Sequence, residues 1–479
     1  MFGSLKRRQT STSCRVHRRL EPREPFEEGL DVVPLGRRDI GHGGWIARIG
    51  GPRPYRWAVR VPVQASSSRW WTVDALLYGC SALFAGLTAW TAGIPLQRSW
   101  GRVALWTYAL AAAIALIATR VPGSEPQQLR RRTILVVVVC AAAAIAPMAV
   151  AASARAGGDL GAYAQSEVIV VEEAAIALRD GRDPYVAEYR DGPLADRPAA
   201  TQVHFPYLPG MLAFGIPRAL ADPAAWTDAR VWFTVVALAV AGWGLVRMAA
   251  APEDRLRTFQ VLFALPTGAL LLASGGVDIP VIAMLLGTTV LVRNDRPVAA
   301  AVMGGLALAT KQTSILVLPF LVLAIPRGRP RRLFVLTVGA VGAAVIVPFA
   351  LWDVDAFVED AILFPLGLGR GESAAATPTL GSLLVDLFPL SRTAVTVLLV
   401  AAIAVVVAFL LFRGRGPSLS QACARAAGAF FAAIALAPAA RVGYLVYPVN
   451  LIVWAIAFRP PSAARGRFRR RVLGEPSEG

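Results

Sequence analysis

TILVVVVCAAAAIAPMAVAASA, residues 133–154, runs for twenty-two positions without a charge. A helix of about 17–25 apolar residues crosses the hydrocarbon core of a bilayer, whereas a barrel strand needs only about 9–11. With no water in lipid to bind the backbone, a run this long closes its hydrogen bonds internally as a helix. Comparable runs lie at 75–95, 102–121, 230–247, 258–274, 277–293, 332–352, 391–413, 421–438 and 441–458. Residues 297–326 form two shorter apolar segments broken at Thr310-Lys311-Gln312-Thr313. With 56% hydrophobic and 17% charged residues, the chain is expected to be an all-α polytopic membrane protein of about twelve transmembrane helices.

The net charge of +18 is carried by arginines clustered in loops and tails, as cytoplasmic flanks are, so nucleic acid is not expected as a partner. Arg130-Arg131-Arg132, Arg247/Arg255/Arg257, Arg293/Arg296, the 327–332 loop, Arg413/Arg415 and the tail after Arg459 read as cytoplasmic. Loops 155–202, 274–277, 353–380 and 438–441 read as extracytoplasmic, with both termini inside and the plasma membrane as location. Arg98 and Arg102 fit this orientation poorly. Residues 203–221, VHFPYLPGMLAFGIPRALA, carry Pro206, Pro209 and Pro217 and are expected to form a broken or re-entrant element. Residues 1–70 are expected to be a disordered basic tail without a signal peptide. Residues 71–132 then hold two N-terminal spans, 133–458 the main membrane domain, and 459–479 a second basic tail. Cys14, Cys80, Cys140 and Cys423 have no metal-ligand spacing and no disulfide is expected. With only His17, His42 and His204, no histidine metal site is expected either.

Downstream of the opening run, residues 155–202 carry nine acidic residues against five arginines, the reverse of the chain's bias. Ser166 to Arg179 reads as a helix ended by Asp180-Gly181. Its apolar face is interrupted by Glu172, and it is expected to lie at the bilayer interface. Asp159, just past the span in Gly157-Gly158-Asp159-Leu160, is placed to accept a hydroxyl proton, or is only a solvated loop residue. Lys311 is one of two lysines in the chain, the other being Lys6. An ammonium between apolar segments suits a phosphate, or snorkels to the interface. Arg441, at the turn before the last span, runs against the outer charge bias and invites an anion. Asp278 reads best as a helix N-cap. There is no Walker loop, dinucleotide fingerprint, HExxH or GxSxG.

In order, GGDLGAY (157–163), GRDPY (181–185), HFPYLPG (204–210), SGGVDIPV (274–281), GLALATKQTSILVLPFLVL (305–323), FPLGLG (364–369), TPTLG (377–381) and RVGYLVYP (441–448) resemble the membrane glycosyltransferases of the C-type fold. The likeness is strongest to glycosyltransferase family 87, whose members resemble polyprenyl-phosphate-mannose-dependent mannosyltransferases, and covers roughly 140–455. It implies a GT-C-like bundle whose large first extracytoplasmic loop carries the catalytic acid near its start, hence Asp159 as base. Asp183-Pro184-Tyr185 and Phe205-Pro206-Tyr207-Leu208-Pro209 stand where the family has Pro-Tyr and Tyr-Pro-Pro elements, the second without adjacent prolines. Leu160 after Asp159 gives no metal-chelating acidic pair, so no metal or other cofactor is expected. The implied donor is a sugar, mannose by resemblance, on a polyprenyl phosphate. Its phosphate would be met by Lys311 and Arg441, and its sugar would pass with inversion to a lipid or cell-envelope glycan acceptor. Tyr163, Tyr185, His204, Tyr207, Asp278, Gln312 and Tyr444 would line the site among membrane lipids. A transporter or flippase is the alternative, weakened by the absence of repeated halves.

Overall fold

The computed structural model describes residues 67–371, 377–388, 391–414 and 416–460. The expectations for the two tails, with Lys6, Cys14, His17 and His42, fall mostly or wholly outside them. The described residues are helical, with no β-strand. Among the described residues seven helices are long and apolar enough to cross a membrane, or eight when one bent pair counts as a single span.

Helices α1 (Ser67–Thr91) and α2 (Pro95–Ala118) form a hairpin. Small residues let the two backbones approach: a Cβ on Gly101 would lie 2.5 Å from the Ala89 nitrogen. The opening run lies in α3, Glu125–Ala156, a helix of 32 residues and so ~48 Å long. It exceeds the ~30 Å hydrocarbon core, which leaves the Arg130–Arg132 end and the Arg155 end free to lie beyond it. Pro147 has no N–H to offer the Ala143 carbonyl one turn back. The helix widens into a π turn over Ala141–Ile145, and the Trp100 indole of α2 donates to the Ala143 oxygen at 2.7 Å. A second proline break is treated the same way. α5 (Ala229–Arg247) is followed by α6 (Pro252–Ala264) and α7 (Pro266–Ser274), bent by 42°, and the Tyr108 hydroxyl donates to the buried Ala264 carbonyl at 2.9 Å.

Between α3 and α5, α4 occupies Ser166–Arg179 as expected. It does not lie on a surface: eight of its fourteen residues, Glu172 among them, are buried in protein. The interruption in its apolar face is an anchor. Glu172 receives Arg155 in two hydrogen bonds of 2.9 and 2.7 Å and the Ala229 backbone N–H at 2.8 Å. Residues 203–221 contain no helix longer than six residues, because their prolines cut the segment into turns. Gly210 brings these turns against the bundle, since a Cβ there would lie 2.8 Å from the Ala309 carbonyl oxygen.

α8 (Asp278–Arg293) is the central helix, with fourteen of sixteen residues buried. α9 (Pro297–Thr310) and α10 (Gln312–Ala324) are each too short to span, and they meet at Lys311. α11 (Arg329–Ala350), α12 (Arg392–Phe412), α13 (Leu419–Leu436) and α14 (Val442–Ala457) complete the bundle. α11 and α12 are the least buried, with Leu336, Leu398 and Val405 more than 60% exposed, as lipid-facing helices are. Cys80, Cys140 and Cys423 are free thiols.

Candidate active site

α9 ends at Thr310 and the backbone opens at Lys311 (φ −153°, ψ 134°) before α10 begins. The break turns the Lys311 side chain into protein, and only 4% of the residue is exposed. It therefore does not snorkel. A buried ammonium needs a charge partner, and Asp278 supplies it: Nζ lies 2.6 Å from Asp278 Oδ1. The Tyr447 hydroxyl donates to the same oxygen at 2.7 Å and lies 2.8 Å from the Thr313 hydroxyl. Asp278 was expected to cap α8; its side chain instead makes this pair, and α8 starts without a side-chain cap. The remaining faces of the ammonium look onto the Tyr207 and Tyr444 rings, with centroids at 5.6 and 5.2 Å, a cation–π arrangement that holds a desolvated charge.

Arg441, in the turn between α13 and α14, pairs with Glu167 in the first turn of α4. Its side chain is 35% exposed, so this pair forms the wetter side of the cluster. Glu167 beside it holds the guanidinium above its ordinary range. Two cations thus face two carboxylates, all converging from distant parts of the chain. An entering phosphate would draw hydrogen bonds from Arg441 and Lys311 that the carboxylates now receive.

Around this centre the HFPYLPG segment is held from three sides. Gln312 Nε2 donates to the Pro206 and Ala361 carbonyls at 3.2 and 3.3 Å. The Tyr185 hydroxyl donates to the Tyr207 carbonyl at 2.8 Å, and its ring packs on Phe205 and Phe357. Tyr185 thus stands behind Tyr207. His204 is fully engaged: Nδ1 lies 2.5 Å from Asp360 Oδ1, Nε2 lies 3.0 Å from the Arg370 carbonyl, and the ring stacks on Phe364. Asp360 Oδ2 also accepts the Phe205 N–H at 2.7 Å. Burial works to lower the imidazole pKa, but the hydrogen bond and charge of Asp360 outweigh it and hold His204 above its usual value. His204 ties loop 353–371 to the segment 203–221.

The expected site residues therefore divide. Tyr207, Asp278, Lys311, Arg441 and Tyr444 meet, with Gln312 beside them. Tyr185 and His204 brace from behind. Asp159 is exposed, and its Oδ1 accepts the Gly161 N–H at 2.7 Å in a local turn. Tyr163 is 55% exposed at φ +55°, with its carbonyl bound by Arg230. No hydrogen bond or ion pair described here links Asp159 or Tyr163 to the Lys311 cluster. Glu167, Thr313, Tyr447 and Asp360 were missed. Tyr447 had a signal, three residues after Tyr444 and so on the same side of a helical turn. Asp360 had none, because its partner is 156 residues away. Among the described residues no group of three or more His, Cys, Asp or Glu side chains is arranged to hold a metal ion.

Residues 205–438 match the family model of Glycosyltransferase family 87. The match opens at Phe205 in HFPYLPG, takes in Asp278 and Lys311, and stops three residues before Arg441. No curated protein and no solved structure matches the chain. The matched stretch holds the Tyr207–Asp278–Lys311 core, and the described residues include seven or eight helices fit to cross a membrane; the match supports glycosyltransferase family 87 and indicates a membrane glycosyltransferase.

Proposed function

We propose that the enzyme moves a sugar, mannose, from a polyprenyl phosphate to a hydroxyl of a lipid or cell-envelope glycan at the extracytoplasmic face of the plasma membrane. The observation that carries this reading is the ammonium of Lys311, buried where two half-length helices meet, ringed by tyrosines and neighboured by Arg441. A nucleotide-free donor whose leaving group is a phosphate on a lipid needs cationic donors at that depth. On this reading about twelve helices, the short α9 and α10 among them, pack around one broken segment at 203–221, and both termini are cytoplasmic. Transport loses ground as the alternative, because the matched family is one of glycosyltransferases.

The step is a single displacement. The acceptor hydroxyl gives its proton to the Asp159 carboxylate while its oxygen bonds to the anomeric carbon. The bond from that carbon to the phosphate oxygen breaks, and the polyprenyl phosphate leaves with one more negative charge. Lys311 and Arg441 meet that charge as it develops, in a site where water does not screen them. Attack opposite the leaving group inverts the anomeric configuration. Tyr207 and Tyr444 flank the sugar, and no cofactor enters the scheme. In its present place Asp159 must approach the cluster as substrate binds, carried by the flexible Gly157-Gly158 pair. Substituting each carboxylate in turn tests the assignment: Asp159→Asn is expected to abolish transfer while donor binding persists, and Glu167→Gln, which removes the anion that competes with the phosphate for Arg441, to strengthen donor binding. Full activity in a well-expressed Asp159→Asn enzyme would remove Asp159 from the role.

A further inference from the structure

On the other side of α4 lies a cavity of about 520 Å³ that the proposed reaction does not use. Its wall includes Arg218, Arg155, Glu172, Glu173 and Leu160, with Ala221 near the rim. Behind it is a closed set of ion pairs. Glu172 is saturated by Arg155 and the Ala229 N–H. Asp228 receives Arg155 at 3.0 Å and Arg230 through Nε at 2.9 Å, Nη2 at 2.7 Å and the backbone N–H at 3.0 Å. Within this set two carboxylates are shared by three guanidiniums, and Arg218 has the weakest share of them. It reaches Glu172 only at 3.5 Å, and none of its three side-chain nitrogens makes a hydrogen bond, although the side chain is 4% exposed. A buried guanidinium with unmet donors is matched by a planar or tetrahedral oxyanion that accepts two of them at once. Glu173, half-buried on the same wall, is an acceptor suited to hydroxyls. The apolar side chains of Leu160, Ile176 and Pro223 complete the lining.

We propose that this cavity binds a hydroxyl-rich headgroup bearing a phosphate or a carboxylate, with the anion on Arg218 and a hydroxyl on Glu173. Because Leu160 lines the cavity next to Asp159, the headgroup is assigned to the acceptor, an assignment that rests on the reaction proposed above. Leu160, the residue after the proposed base, lines the site, whereas neither Lys311 nor Arg441 does, which separates it from the donor phosphate.

Equilibrium dialysis of the full-length protein in detergent, with labelled glucose 1-phosphate and glucuronate and with glucose as the neutral control, reads the site without any turnover. Saturable binding of at least one anion, absent for glucose, is expected. A tenfold or greater loss is expected in Arg218→Gln, the effect of removing a charge-assisted pair of hydrogen bonds. Ala221→Phe, a change at a partly exposed rim position that leaves the ion pairs intact, is expected to block binding equally. No saturable binding of either anion, or unchanged binding in either folded variant, overturns the site. Displacement of the label by nanodiscs containing phosphatidylglycerol, and not by zwitterionic ones, identifies a lipid-borne headgroup; absence of displacement identifies a soluble glycan. In the transfer assay, competition of the anion against acceptor is expected, and competition against donor overturns the acceptor assignment. A protein inactive with every donor fails the reaction proposed above while the dialysis result stands.

Discussion

Lys311→Met separates the structural weight of the buried ammonium from its catalytic one. In the wild type Asp278 Oδ1 is shared by Lys311 Nζ and the Tyr447 hydroxyl, at 2.6 and 2.7 Å, and Asp278 is 4% exposed. Methionine fills the lysine stem but leaves a buried carboxylate with a single hydroxyl donor, and breaking such a pair costs about 3–5 kcal/mol. Replacing both partners by apolar residues of similar volume is often neutral, so Lys311→Met with Asp278→Leu is expected to recover most of the stability. It is not expected to recover activity. The ammonium's interaction with the leaving phosphate exists mainly in the transition state, and loss of one such electrostatic donor lowers turnover by about 10²–10³-fold. Thermal unfolding in detergent reads the first effect and sugar transfer the second. A double variant that is stable and transfers at the wild-type rate refutes the phosphate role of Lys311. A single variant as stable as wild type refutes the buried ion pair.

Three further outcomes follow from the packing. Trp100→Phe removes the donor to the Ala143 carbonyl beneath Pro147 and should destabilise by about 1–3 kcal/mol; unchanged unfolding would show that α3 needs no such support. Gly210→Ala drives a methyl against the Ala309 carbonyl, at a cost of about 1–3 kcal/mol, and should displace Tyr207 enough to lower transfer; a fully active, fully stable variant contradicts the close approach. The raised pKa of His204 means that its protonated form supports the folded state below its unfolded value of about 6.5. That support fades as pH rises through the folded value. Unfolding of the wild type should therefore fall in temperature across that window more than that of His204→Gln; parallel pH profiles for the two would remove the Asp360 contact as the cause.

The bundle was legible because lipid leaves the backbone little choice: uncharged runs such as 133–154 must be helices. The break at Lys311 was legible too, since two segments of about fourteen residues met at the only lysine outside the tail. Periodicity said nothing about pairing. Asp278 looked like a cap because residues at helix starts often are, and only the fold brings Lys311, 33 positions along the chain, against it. Glu172 looked like a flaw in an interfacial helix because its partners, Arg155 and the start of α5, lie 17 and 57 residues away. His204 looked like a site residue on the strength of being a rare histidine, yet Asp360, Arg370 and Phe364 enclose it. The resemblance to family 87 reached the matched region through motif order, which carries information that single short motifs lack.

The measurement that bears most directly on this account is sugar transfer by the purified protein in detergent from a labelled polyprenyl-phosphate mannose to lipid and glycan acceptors, with the anomeric configuration of the product read by NMR. Transfer with inversion, lost in Asp159→Asn, is the expected result. No transfer from any polyprenyl-phosphate sugar across a panel of donors and acceptors, or a product that retains configuration, would contradict it.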